Sequence, residues 1–307
     1  MRIGLAGLAG ARLAGRGHAG QVSPSPRGMP QRPLGRTGHS ASLFSLGGEA
    51  TVERSGRRDD ALAILHRALD LGVNYIDTSP TYGNTVSERH IGEVMAERRD
   101  EVFLATKTHD RSYDGTMRLF ENSLERLQTD RLDLYQIHNV RTARDIERVF
   151  RPDGAIRALE SLRDQKAIRF TGITGHRDPD VLRRGIEQYD FDCVLMALNA
   201  ADTHHASFQK KVLPAAVERE MGIIAMKVPA LGRILRPDGI RTMEEALGYV
   251  YSLPISTAIV GISTLQELEE NVTITGNFQP YSEDTLTELA QRTAHYHEHA
   301  SWFKYHW

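Results

Sequence analysis

The sequence predicts an α/β fold: a single-domain parallel (β/α)8 barrel with an N-terminal β-hairpin. Three observations lead there. Strand-length apolar runs recur eight times, each followed by a helical pattern, on connections mostly too short for an inserted domain. The runs are near-continuously apolar, as strands buried on both faces are. The 307 residues suffice to bury one such core. An open doubly wound sheet would want a Gly-rich phosphate loop after an early strand, and Leu46-Gly47-Gly48-Glu49 lacks the GxGxxG spacing.

In chain order, residues 1–28 are Gly, Ala and Arg followed by Ser-Pro-Ser-Pro. They are expected to be a disordered extension, or an over-extended start with Met29 as the initiator, leaving 29–307 as the folded unit. A secretory signal is poorly served, because Arg12 and Arg16 interrupt the apolar stretch that begins at Ile3 and no clean cleavage site follows. The expected location is therefore the cytoplasm. Gln31 to Ser40 reads as a short hairpin, with Gly35 and Gly38 supplying turn conformations. Strands follow near 43–48, 73–77, 102–107, 132–138, 169–174, 192–198, 222–227 and 256–261. Helix starts have physical signals: Asp178-Pro179 offers an N-cap with proline at the first helical position, and Thr264 with Glu267 forms a capping box.

Composition narrows the function. Charged residues are 25% with a net of −2, which gives no electrostatic footprint for nucleic acid. No run is long and apolar enough to predict a membrane span. The single cysteine, Cys193, excludes an internal disulfide or a CxxC site, and its apolar surroundings predict a core residue.

Chemistry in a barrel of this kind sits at the C-terminal strand ends. Three consecutive ends carry Asp77 with Tyr82 in the following loop, Lys107, and His138. Singly each has a structural reading: a turn cap, a rim aromatic, a snorkelling lysine, a core histidine. Together they suggest a proton-transfer site. An ammonium near a phenol favours the phenolate, so Lys107 is expected to lower the pKa of Tyr82. Asp77 would hold Lys107, and His138 would donate to a carbonyl oxygen. That arrangement suits carbonyl reduction, with hydride from a nicotinamide cofactor, since no side chain delivers one.

The stretches YIDTSPTYGN-SE, FLATKT, DLYQIHN and GISTLQELEEN resemble the aldo-keto reductase family, from about Pro33 to about Thr275. The resemblance implies a TIM-type barrel, a catalytic tetrad of Asp77, Tyr82, Lys107 and His138, and NADP(H), less often NAD(H), across the C-terminal end. It implies a small-molecule carbonyl substrate and cofactor contacts at Thr174, Met226, Lys227, Ser263, Thr264, Glu267 and Asn271. The family's Ser-Asn pair after strand five is here Thr174-Gly175, its strand-six glutamine is Leu195, and its stacking aromatic is Met226. Lys227 is expected to reach the pyrophosphate or to form an ion pair at the barrel mouth. An arginine for the 2′-phosphate is replaced by Glu267, which suits a ribose diol or serves only as Thr264's capping partner. Backbone N–H groups around Ser263 and Thr264 are expected phosphate donors.

Two further groups stand out: His204-His205 after strand six, expected as a solvated loop pair or substrate contact, and His295 with His299 in an aromatic tail. The latter are four apart, a spacing that suits zinc, but no third ligand is set by spacing, and no metal is expected. The tail aromatics are expected to line the substrate pocket or to pack on the barrel wall. Besides carbonyl reduction, the sequence admits a cofactor-binding regulatory subunit with little turnover. A metal-dependent isomerase or hydrolase would need more clustered ligands than Asp77 and His138.

Overall fold

The computed structural model describes residues 23–24 and 28–306. The extension expected over residues 1–28 lies outside these apart from Gly28 and the pair Ser23–Pro24, which lies antiparallel to Pro30–Gln31.

Eight parallel strands close into a barrel: β1 (Phe44–Ala50), β2 (Tyr75–Asp77), β3 (Phe103–Thr108), β4 (Leu132–Ile137), β5 (Ile168–Gly175), β6 (Cys193–Ala197), β7 (Gly222–Met226) and β8 (Thr257–Ile262). β8 pairs back onto β1. Every predicted strand is present, with ends shifted by one or two residues at most.

Period-two alternation sorts the strand residues into two cores. Tyr75, Phe103, Ala105, Leu134, Cys193, Leu195, Ile224, Met226 and Ile259 fill the lumen, with Leu34. Their neighbours in sequence, such as Ile76, Leu104, Tyr135 and Val194, face the helices in the larger outer core. Cys193 is thus the core residue its surroundings predict. The lumen series continues upward through Asp77, Lys107, Gln136 and Thr174. This places polar groups one register step above an apolar floor.

The predicted hairpin, Pro30–Pro33 with Ser40–Ser42, closes the opposite end. Its turn lies so close to β7 that a Cβ on Gly35, whose φ is +53°, would fall 2.2 Å from the Gly222 nitrogen. Only glycine tolerates both that approach and that conformation. Leu34, fully buried, is the plug beneath the lumen.

Helices alternate with the strands, and Asp178 caps its helix (Pro179–Gln188) as predicted, accepting from the Asp180 N–H at 2.9 Å. Among the described residues no helix is long and apolar enough to cross a membrane. The chain ends in short helical pieces, including His297–Ala300 and Trp302–His306, packed beside the loop after β6. There the buried Lys304 ammonium pairs with the buried Asp202 carboxylate at 2.5 Å.

Candidate active site

The site is built on the loop from Asp77 to Ser87. Gly83 carries φ +55°, and a Cβ there would meet the Glu53 carbonyl oxygen at 1.9 Å. Glycine lets the Tyr82 loop dock on the turn Thr51–Glu53, where the Glu53 carboxylate accepts from the Gly83 N–H at 3.0 Å. At the far end of the loop, the Ser87 and Thr78 hydroxyls share a hydrogen bond of 2.8 Å. The next residue, Glu88, is fully buried and accepts from Thr106 at 2.7 Å and Arg126 at 2.6 Å, tying its helix to β3.

The four residues expected to act together do converge. Lys107 donates to a carboxylate oxygen of Asp77, to the Thr78 carbonyl at 2.7 Å and to Tyr82 Oη at 3.2 Å. His138 meets the Tyr82 ring edge-on, centroids 6.0 Å apart, and its Nδ1 lies 3.3 Å from the Ser79 hydroxyl. Gln136, which sequence reasoning missed, donates to the second oxygen of Asp77 at 2.8 Å. It stands in register beside Lys107 on the lumen face, two residues before His138, so the period-two pattern contained the signal.

One electrostatic expectation is corrected. The Tyr82 phenol is pushed well above its ordinary value, by burial first and then by the Glu49, Asp77 and Glu53 carboxylates. The nearby ammonium does not outweigh desolvation. Burial likewise raises the Asp77 carboxyl and lowers the Lys107 ammonium, against their mutual attraction. The His138 imidazole is held well below its usual range by burial and then by the Lys107 charge, so it is neutral at physiological pH.

These groups open on a cavity of about 160 Å3, at the C-terminal barrel end. Its lining includes Tyr82, Lys107, His138, Thr174, Leu195, Met226 and Lys227, together with Glu49, Arg141 and His176, which sequence reasoning did not single out. The volume is below the roughly 300–1,000 Å3 of a drug-sized pocket, so it takes a ring rather than a whole dinucleotide.

A nicotinamide ring fits these residues. Leu195 and Met226 form an apolar floor, and the Thr174 hydroxyl accepts from the Asn139 N–H at 2.7 Å, which leaves its own proton to donate. A Cβ at Gly175 would face Leu182 and the Val140 carbonyl, so that position addresses the outer layer; the next inward residue is His176. Lys227 forms the ion pair, with Glu49, at 2.8 and 3.1 Å.

The remaining expected cofactor residues lie apart from this cavity, at the start of the helix after β8 (Leu265–Gly276). Thr264 caps the Glu267 N–H at 3.1 Å, as predicted, but the Glu267 carboxylate bonds the Ser263 N–H at 2.8 Å. A predicted phosphate donor is thereby occupied by a carboxylate. Asn271 is buried and its Nδ2 has no hydrogen-bond partner among the described residues.

The histidine pairs have structural partners. His204 and His205 are both exposed, as the solvated-pair reading expects, and they also touch the tail: His204 Nε2 lies 2.8 Å from the Ala290 carbonyl and His205 stacks on Tyr305. His295 bonds Asp238 at 2.9 Å and sits in a 3-10 turn, outside the helix that carries His299. Among the described residues no three His, Cys, Asp or Glu side chains are grouped to hold a metal ion. Phe303 brings the tail to the cavity, edge-on to His176 at 6.0 Å.

Comparison with known proteins agrees with this architecture. The family model described as "Aldo/keto reductase family" matches residues 44–236. Methylglyoxal reductase YeaE of Escherichia coli is 32% identical over 72% of this chain and 81% of its own. L-galactose dehydrogenase of Arabidopsis thaliana is 27% identical over 84% of this chain and 92% of its own. Among solved structures, aldo-keto reductase AKR11C1 of Bacillus halodurans superposes with a TM-score of 0.74 at 22% identity, covering 86% of this chain and 96% of its own. An aldo-keto reductase of Klebsiella pneumoniae, in complex with NADPH, gives a TM-score of 0.69 at 21% identity, over 83% and 92% of the two chains.

Proposed function

Because the chain belongs to the aldo/keto reductase family, we propose that it is an NAD(P)H-dependent oxidoreductase that reduces an aldehyde or ketone to an alcohol. We place it in the cytoplasm. The observation that carries the reading is the convergence of Tyr82 Oη, the Lys107 ammonium and His138 at one cavity. NADP(H), the cofactor in the Klebsiella pneumoniae complex, is the first expectation, with NAD(H) as the alternative at Glu267.

A nicotinamide held at this cavity would supply the hydride for the carbonyl carbon. Tyr82, kept protonated by its surroundings, gives its proton to the carbonyl oxygen as charge develops there. Lys107, 3.2 Å from the phenolic oxygen, stabilises the phenolate that remains. Asp77, held by Gln136, keeps Lys107 in place. With the Ser79 hydroxyl, 3.3 Å away, donating to Nδ1, His138 would carry its proton on Nε2 and donate it to the substrate oxygen. Thr174, Leu195 and Met226, which line the cavity, would hold the nicotinamide ring.

The test is turnover of a panel of aldehydes with NADPH and with NADH, compared with Tyr82→Phe. Loss of a proton donor is expected to lower kcat by roughly 10²- to 10⁴-fold. Equal turnover by the variant overturns the assignment. A regulatory nucleotide sensor has no observation in its favour once this cluster is assembled.

A further inference from the structure

Three cations line the cavity, and two are neutralised in place. Lys107 is bound by Asp77 and Lys227 by Glu49. The third is Arg141, on the loop after β4. Its side chain is exposed, and among the described residues no carboxylate lies within 4.0 Å of its guanidinium. Its neighbour is Asn139, whose side-chain amide would accept from Nε and Nη2 at 2.9 Å each once its oxygen and nitrogen are exchanged.

The backbone of the loop that presents this exposed side chain is held at several points. Asn139 sits in the left-handed region at φ +52°, its N–H held by the Thr174 hydroxyl at 2.7 Å. Arg111 donates to the His138 carbonyl at 2.8 Å and the Asn139 carbonyl at 3.3 Å. Asp145 accepts from the backbone N–H groups of Arg141 and Thr142 at 3.0 Å each. A guanidinium carried on a backbone held this way keeps its remaining Nη donors for a two-oxygen anion.

Its place in the barrel says which ligand it meets. In the closed strand order β4 lies opposite β8, whose following helix is where the dinucleotide phosphates are expected. Arg141 therefore stands on the far side of the nicotinamide, three residues from His138. The two cavity histidines add no competing charge. Burial and neighbouring cations hold His176 at about 3 and His138 well below its usual range.

We propose that the substrate is a carbonyl compound bearing an anionic group, a carboxylate or a phosphate, that Arg141 binds while the carbonyl oxygen lies between Tyr82 and His138. The proposal rests on the reductase reading above. Charge-assisted recognition of the anion by this guanidinium, which a neutral analogue forgoes, is the specificity device.

The experiment uses the full chain with nicotinamide cofactor and two matched substrate pairs: 4-formylbenzoate against 4-formylbenzamide, and glyceraldehyde 3-phosphate against glyceraldehyde. The anionic member is expected to show a kcat/KM roughly 10- to 100-fold higher in at least one pair. Which pair shows the bias tells carboxylate from phosphate. The bias should collapse in Arg141→Gln and return in part in Arg141→Lys. In the unmodified protein, added salt should lower kcat/KM for the anionic member only, a readout that needs no variant to fold. Equal kcat/KM within both pairs, or a bias that survives Arg141→Gln, overturns the inference alone. No turnover of any of the four with cofactor bound, as read by nicotinamide fluorescence, overturns the reductase reading and this inference with it.

Discussion

The Asp77–Lys107 pair is buried at the centre of the site, and burial dominates both partners. Asp77 has a folded-state pKa above its unfolded value, so the stability it contributes is present below the unfolded pKa and lost as pH rises through the folded one. Lys107 has a lowered folded-state pKa, so its contribution is present above the unfolded pKa and lost as pH falls through the folded one. Between the two folded-state values both contributions are lost, and there the ion pair is maintained at a cost to stability. Replacing both partners by neutral groups, Asp77→Asn with Lys107→Met, is expected to abolish turnover while raising stability by about 1–3 kcal/mol in denaturant unfolding. A clear loss of stability would show that the pair helps to hold the fold. The tetrad was legible in the sequence because each member lies at the C-terminal end of a strand or in the loop that follows. Gln136 was legible in principle, two positions before His138 on the same face. Arg141 and Glu49 were not, because what matters about them is the cavity they face and whether a partner meets them, and neither has a sequence period.

At the scale of elements, the eight strands were legible because burial on both faces writes an apolar run, and the helix after β5 because Asp178-Pro179 is a local signal. The helix after β8 was legible only in part. Thr264 caps it as read, yet the carboxylate of Glu267 turns to the Ser263 N–H, a choice between adjacent donors that spacing does not decide. This places a negative charge at the helix start where a dinucleotide phosphate would sit. Glu267→Arg is expected to raise the ratio of kcat/KM with NADPH to that with NADH by about tenfold or more, since it removes a repulsion and adds a charge-assisted donor. An unchanged ratio would mean that the adenosine phosphate does not approach this helix. The tail escaped the sequence for another reason. His204, His205 and Lys304 are satisfied by groups roughly 80 to 100 residues away or by the opposing loop, pairings that only the closed barrel creates.

The whole molecule divides its work between the two barrel ends, as parallel closure requires: every strand delivers its C-terminus to the same face, leaving the other face for stability. That second face is stitched by Arg32. Its guanidinium, buried with the hairpin, donates to the carbonyls of Tyr251 at 2.8 Å, Ile255 at 3.1 Å and Leu253 at 3.4 Å, joining the first element of the fold to the segment that leads into its last strand. Neither lumen packing nor the ladder between β8 and β1 supplies that link. Truncating Arg32 to Ala leaves buried acceptors unpaired, and the expected cost is about 2–3 kcal/mol in urea unfolding. The hairpin sits at the end of the lumen opposite Tyr82 and His138, with the packed apolar layers from Leu34 to Met226 in between. The folded variant should therefore keep the kcat/KM of the parent. A loss of activity at temperatures where Arg32→Ala remains folded would show that the plug sets the geometry of the catalytic face through the barrel core. Unchanged activity beside a lowered unfolding midpoint would establish that the two ends are energetically separate.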